Sequence, residues 1–282
     1  MSSRLWGTLL FLSLGTGLAH AQTMRSFSAA RQVHGETNFT ATIRLASGTL
    51  RVAPGGASLL YNMEVVYDAD RFKPLGIFDQ VASEVVLGLE SIGGGGFRVS
   101  KAAQLDQAAN VVLSSAVDLT FDAGLEAVNA ELELGGMRLV SFSLRNGGSR
   151  TVVRFSQPNR VACGRGEFRA GAAEFKVSGL GNSRCRTIVF QGDVGAAMLD
   201  FTGTLRADMR LEASMAGGSL TIKLPRGLGV SMTADNFLAL LDPQGFVERD
   251  GEYFSQEYGA AERHLDISLK TALGQVKIEW VD

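Results

Sequence analysis

The sequence predicts an all-β protein built as a β-solenoid, a coil of short strands, and two observations carry this prediction. A glycine followed by paired core positions four and six residues later recurs at Gly124, Gly147, Gly171, Gly195 and Gly218. Units of about 23 residues are typical of one turn in repeat proteins that stack their turns. Apolar and polar residues also alternate in segment after segment, while helical periodicity is scarce, and a period of two indicates strands with one buried face.

The repeated positions are expected to form the core of the coil. Stacked turns bury a continuous core when each turn presents apolar side chains at the same place. A β-sandwich with evenly spaced strands would give a similar spacing, and the sequence leaves that alternative open. The five pairs are Val128/Ala130, Thr151/Val153, Phe175/Val177, Leu199/Phe201 and Ile222/Leu224.

Residues 1–21 have the features of a secretory signal peptide. Arg4 precedes an apolar run from Leu5 to Leu18, and Ala19-His20-Ala21 supplies the small residues needed for cleavage before Gln22. The apolar run is shorter than the roughly 20 residues of a membrane-spanning helix. We therefore expect an exported protein, and the family resemblance described below implies a bacterial periplasm or extracellular space.

The mature chain is expected to contain two regions. Residues 22–115 form an N-terminal β region or cap, because their strand-like runs do not keep the 23-residue spacing. Residues 116–282 form the solenoid domain, whose C-terminal cap contains the hairpin signal Asp250-Gly251. Gly93 to Gly96 mark the boundary as a linker or turn, since they lack the lysine and hydroxyl partners of a phosphate-binding loop.

The charge balance gives no reason to expect a nucleic-acid partner. The formal net charge of −2 becomes −3 once Arg4 is removed with the signal peptide, whereas phosphate backbones are met by clustered Lys and Arg. Seven arginines are locally dense, and we expect them to occupy solvated outward positions on alternating strands. They are Arg138, Arg145, Arg150, Arg154, Arg160, Arg165 and Arg169.

The two cysteines of the chain, Cys163 and Cys185, are 22 residues apart, nearly one repeat. Matching positions of adjacent turns lie about 4.8 Å apart, within the Cα separation that a disulfide tolerates. Export would place both thiols where disulfides persist. The sequence thus predicts a disulfide between neighbouring turns; a redox or metal pair is disfavoured, because no Cys-x-x-Cys spacing or nearby histidine is present.

No catalytic, metal-binding or cofactor-binding constellation is recognisable. His34 and His264 are the histidines of the mature chain and are expected at the surface. Serine-nucleophile, zinc-protease and EF-hand motifs are absent. We therefore expect no enzyme, no catalytic or metal-ligating residue and no cofactor.

A carbohydrate-active protein is the alternative, because parallel β-helices that act on polysaccharides need only carboxylates or basic residues. Crowded carboxylates are candidates for that role, although solvated strand charges are the simpler interpretation. An aromatic cluster, Tyr253, Phe254 and Tyr258, could form a sugar platform or part of the cap. The carboxylates are Asp193, Asp200, Asp208 and Glu212.

Three segments carry a resemblance to exported toastrack proteins related to the LiaF family of bacterial envelope-stress regulators. They run from Asp118 to Gly136, from Asn146 to Pro158 and from Gly218 to Val230. The resemblance implies a right-handed coil of short strands and a non-enzymatic role in sensing, scaffolding or protein contact. LiaF-type proteins usually carry membrane helices before this domain, whereas this chain has only a signal peptide, which puts direct membrane signalling in doubt.

These observations favour a non-enzymatic envelope protein that acts as a scaffold, adaptor or sensor through protein contacts. An envelope protein partner or self-association through an uncapped end of the coil is expected, without nucleic acid and without a membrane span after signal cleavage. The alternative is a polysaccharide-binding module or lyase built on a β-helix.

Overall fold

The computed structural model describes residues 23–92 and 107–282, and about 70% of it is strand. Within these ranges it contains 17 β-strands, a 3₁₀ turn at Leu180–Ser183 and no α-helix. The predicted all-β class is confirmed. The predicted signal peptide (residues 1–21) and the Gly93 to Gly96 linker lie outside the described residues.

The strands follow one another with short connections. Their bounds are β1 (Met24–Gln32), β2 (Asn38–Pro54), β3 (Leu59–Asp68), β4 (Phe72–Asp79), β5 (Glu84–Ser91), β6 (Ala108–Leu113), β7 (Asp118–Glu133), β8 (Leu139–Asn146), β9 (Thr151–Arg154), β10 (Cys163–Ala170), β11 (Ala173–Ser178), β12 (Cys185–Asp200), β13 (Met209–Pro225), β14 (Gly229–Asp242), β15 (Phe246–Arg249), β16 (Glu252–Ser255) and β17 (His264–Val281).

Most neighbouring strands pair in parallel. β2 pairs with β7, β7 with both β8 and β9, and these with β10 and β11 respectively. The order continues through β12, β13 and β17 to β14. All described pairings between residues 124 and 224 are parallel, which excludes the β-sandwich alternative. Antiparallel strands flank the set: β1, β3 and β4 at one end, and β15 and β16 at the other.

The predicted right-handed, toastrack-like solenoid is wrong. Six parallel strands close into a β-barrel, and further strands lie outside it. The repeat could not distinguish these arrangements, because it reports only the number of residues between positions that face each other in neighbouring parallel strands. That number is a local property, whereas closure depends on how distant strands of the set meet.

The core consists of the inward residues of the strands. All ten predicted core positions are buried. Four phenylalanines stack through the middle, with ring centroids 5.1 Å apart between Phe142 and Phe168, 5.6 Å between Phe168 and Phe175, and 5.8 Å between Phe175 and Phe190. Such tilted and edge-on contacts are favourable arrangements for buried rings. The core is therefore continuous across strands far apart in sequence.

The step from one strand to the next differs in two places from the glycine spacing. Ala130 rather than Val128 lies opposite Thr151, so the paired residues of β7 and β9 are 21 apart. Gly195 lies opposite Ala173 rather than Gly171, so the paired residues of β11 and β12 are 22 apart. Val177 consequently faces Leu199, and Leu199 faces Ile222. The glycine phrase identified the right core residues, but its steps at these two points are not the register of the strands.

Candidate interaction surfaces

Cys163 and Cys185 begin β10 and β12 and lie directly opposite each other. The structure joins them in a disulfide, with Cα atoms 4.1 Å apart. Both side chains are buried. The bond links two parallel strands at the same end, so it can hold their register.

Most of the dense arginines are paired with carboxylates. Arg138 Nε donates to Asp118 Oδ1 at 2.7 Å, Arg145 contacts Asp122 at 3.3 Å, and Arg150 contacts Glu174 at 3.4 Å. Arg165 and Arg169 share Glu167. The first three pairs join neighbouring parallel strands or their ends, whereas Arg165, Glu167 and Arg169 follow one another on the same face of β10. These arginines therefore lie on the outer surface beside carboxylates, and the expectation of no nucleic-acid partner stays a prediction.

The two histidines lie in different parts of the molecule. His34 is exposed beside β1, where its Nδ1 lies 2.8 Å from the Gln32 carbonyl oxygen. His264 begins β17; its backbone N–H donates to Asp208 Oδ1 at 2.9 Å, and its Nε2 lies 3.0 Å from the carbonyl oxygen of Tyr258. Each ring therefore has a local structural partner.

The four candidate carboxylates do not form a cluster. Asp200 caps a turn by accepting from the Thr202 N–H, and Asp208 holds the start of β17. Asp193 and Glu212 lie on outward positions that border different grooves. Among the described residues, no group of three or more His, Cys, Asp or Glu side chains could hold a metal ion.

The aromatic cluster divides between the core and a groove. Tyr253 packs against the hydrophobic core. Phe254 and Tyr258 contact each other edge to face, with centroids 5.0 Å apart, and Tyr258 makes the same kind of contact with His264. Both also border an open depression of about 520 Å³, which we call the C-terminal groove. Its lining includes Arg210, Glu212, Ser231, Phe254, Tyr258 and Asp266.

β14 presents an edge that no other described strand covers over most of its length. On one side it pairs with β17 from Gly229 to Asp242, and on the other it meets β16 only at Ser231 and Met232. Residues 233–242 therefore have one free side. At the opposite end of the set, β2 is covered. β5 and β6 pair with it in parallel, and β4 and β3 then pair antiparallel with β5 and β6 respectively.

Large apolar side chains are exposed along this free part. Phe237 is 79% exposed, Leu238 64% and Leu240 74%, and Leu273, opposite Leu238 on β17, is 54% exposed. We call these four residues the apolar edge strip. Sequence reasoning missed the strip, although the run from Phe237 to Leu241 is apolar without alternation, which is unusual for a strand with one face in solvent. An exposed apolar edge of this length is a template for pairing with another chain.

Among the described residues, none forms a helix long and apolar enough to cross a membrane.

No family model matches this chain, and no curated protein matches it in sequence. In structure it is similar to a candidate cell adhesion protein from Clostridium sporogenes, at 13% identity and a TM-score of 0.49, over 92% of this chain and 100% of the other. It is also similar to a candidate adhesin from Bacteroides fragilis, at 11% identity and a TM-score of 0.45, over 90% and 97% of the two chains. A third, from Parabacteroides distasonis, has 11% identity and a TM-score of 0.38, over 91% and 97%. These similarities concern the fold, and none of the three structures is described as LiaF-related.

Proposed function

We propose that this chain is a non-enzymatic, exported envelope protein that acts as a scaffold through protein contacts, and that one of those contacts is with a second copy of itself. The observation that carries the proposal is the apolar edge strip beside the free side of residues 233–242. Export rests on the signal-peptide pattern, and the buried disulfide fits an oxidising compartment.

Strand addition is the contact that this edge favours. An edge strand has unpaired backbone N–H and C=O groups. A partner strand would form hydrogen bonds with these groups, and its side chains would cover the apolar edge strip. Antiparallel pairing of two β14 edges about a two-fold axis would satisfy both copies with one interface, since the same patch serves each side. The apolar stretch of each copy would then be buried against the other.

The charges at the ends of the stretch suit a second copy. Asp235 lies opposite Lys270, and Asp242 lies opposite Lys277. Each end of the apolar stretch therefore carries one acidic and one basic residue, and two antiparallel copies would meet without net repulsion. A strongly acidic or strongly basic partner would gain no net electrostatic attraction from these mixed charges.

Sedimentation velocity of the mature chain over a wide concentration range tests this proposal. We expect a reversible monomer to dimer equilibrium for the wild type. The double substitution Phe237→Asp with Leu240→Asp should weaken association at least about a hundredfold, because each carboxylate buried without a partner costs about 1–3 kcal/mol. Val81→Asp is the matched control, since Val81 is 99% exposed and lies outside the strip.

Two results would contradict self-association through this edge. One is a wild-type chain that stays monomeric up to millimolar concentration. The other is a dimer that the double variant forms as well as the wild type does.

A further inference from the structure

We propose that the C-terminal groove is a carbohydrate-binding site, a role that goes beyond the contact through β14. Its floor and the aromatic wall beside it are built from residues of four adjacent strands. Arg210 of β13 lies opposite Asp266 of β17, which lies opposite Ser231 of β14, and Ser231 lies opposite Phe254 of β16. One row therefore runs from a guanidinium through a carboxylate and a hydroxyl to an aromatic ring.

A second row continues the polar floor. Glu212 lies opposite Ser268, and Ser268 lies opposite Thr233. The two rows place cationic, anionic and hydroxyl groups next to one another within a few ångströms, because adjacent strands are about 4.8 Å apart. Such a floor offers both donors and acceptors to a ligand.

The aromatic wall is held in place before any ligand arrives. The Tyr258 ring makes edge-to-face contacts with Phe254 and with His264, each with ring centroids 5.0 Å apart. The carbonyl oxygen of Tyr258 is 3.0 Å from His264 Nε2, and its N–H donates to the Ser255 carbonyl at 3.1 Å. Gly229 leaves room for the imidazole, since a Cβ there would lie 2.6 Å from His264 Cδ2. A ring fixed in this way loses little entropy on binding.

The polar groups of the floor are available to a ligand. In the part of the chain that the structure describes, neither Arg210 nor Glu212 makes a side-chain hydrogen bond or ion pair. In contrast, the outward residue Glu167 of β10, an earlier strand of the same sheet, forms ion pairs with Arg165 and Arg169. Asp266 accepts one hydrogen bond, from Ser231 Oγ at 2.8 Å, and keeps further acceptor capacity.

Carbohydrate is the ligand class that matches all of these features. A sugar ring combines an apolar C–H face, which stacks on an aromatic wall, with hydroxyls that both donate and accept. A simple anion would be repelled by Glu212 and Asp266, and an apolar ligand would leave the floor unsatisfied. A volume of about 520 Å³ lies within the range of small-molecule sites.

The test is isothermal titration and saturation-transfer NMR of the mature chain with three probes: maltotetraose, cellotetraose and tetra-N-acetylchitotetraose. We expect at least one to bind at millimolar concentration or below. Tyr258→Ala should weaken that binding about tenfold, as the loss of one stacking contact requires. Tyr258→Phe should retain it, because it keeps the ring. Glu212→Gln should weaken binding by a similar factor and, since Glu212 is exposed and unpaired, should not impair folding.

The edge variant Phe237→Asp with Leu240→Asp serves as the control that separates this site from the contact surface. It should bind the sugar as the wild type does, whatever its state of association. The proposal is overturned if no probe binds, or if a probe binds equally well to the wild type, Tyr258→Ala and Glu212→Gln.

Discussion

Glycine is required at particular residues where the backbones of neighbouring parallel strands pass closest. Gly195 and Gly218 adopt positive φ angles, 144° and 108°. A Cβ on Gly218 would lie 2.0 Å from the carbonyl oxygen of Gly195, and a Cβ on Gly195 would lie 2.1 Å from that of Ala173. Both positions therefore combine a φ that favours glycine with a backbone approach that leaves no room for a side chain.

Gly218→Ala should therefore lower the free energy of unfolding by about 2 kcal/mol or more, since it combines a backbone clash with a strained φ. Gly217→Ala is the matched control, because the nearest atom to its added Cβ is a Val194 methyl at 3.8 Å. Urea denaturation of both variants measures the difference. Equal stabilities for the two would show that close stacking at Gly218 is not needed.

Tyr61 is the residue at which stability should depend on alkaline pH. It is 4% exposed, packs beside the Phe78 ring at 6.1 Å, and burial raises the pKa of its phenol, an effect that the nearby charge of Arg31 partly opposes. The folded state then holds the proton more tightly than the unfolded state. The contribution is complete below the unfolded pKa of about 10 and is lost as pH rises toward the folded pKa.

We expect the free energy of unfolding to fall as pH rises above about 10, and Tyr61→Phe to make that fall shallower. Denaturant titrations at a series of alkaline pH values measure the two slopes. Identical slopes for the wild type and Tyr61→Phe would mean that Tyr61 ionises equally well in both states.

At the scale of the elements, the disulfide and the pairing of β10 with β12 support each other. Cys163 faces Cys185 at the first residue of both strands, and the pairing continues to Ala170 and Gly192. Without reductant, intact mass after alkylation should show no modified thiol. Cys163→Ser with Cys185→Ser should lower the free energy of unfolding by about 3 kcal/mol, the value expected for closing a loop of this length. Two alkylated cysteines in the native, unreduced protein would contradict the bond.

The elements that the sequence predicted well are those whose burial alternates. Phe175 and Val177 of β11, and Ile222 and Leu224 of β13, are all buried as expected, because one face of each strand meets the core. The last part of β14 could not be predicted in this way. A run of apolar residues fits a buried strand as well as an exposed one. These residues are exposed because β16 pairs with β14 only at Ser231 and Met232.

For the whole molecule, the sequence indicated the class and the parallel neighbours but not the closure. A repeat specifies which residues face each other one strand away, as Leu199 faces Ile222, and carries no information about strands farther apart. Only part of the C-terminal groove could likewise be recognised from the sequence. Phe254 and Tyr258 stood out as aromatics, whereas Arg210 lies at least 44 residues before them in the chain and is brought to them only by strand pairing through Asp266 and Ser231.

Amide hydrogen exchange at low and high protein concentration tests most directly whether the free edge of β14 is a contact surface. Backbone amides that point away from β17 within residues 233–242 should exchange rapidly in the dilute protein and become protected as copies associate. Amides of β1, at the other end of the strand order, should not change. Protection that develops elsewhere while residues 233–242 exchange at one unchanged rate would show that this edge is not the contact surface.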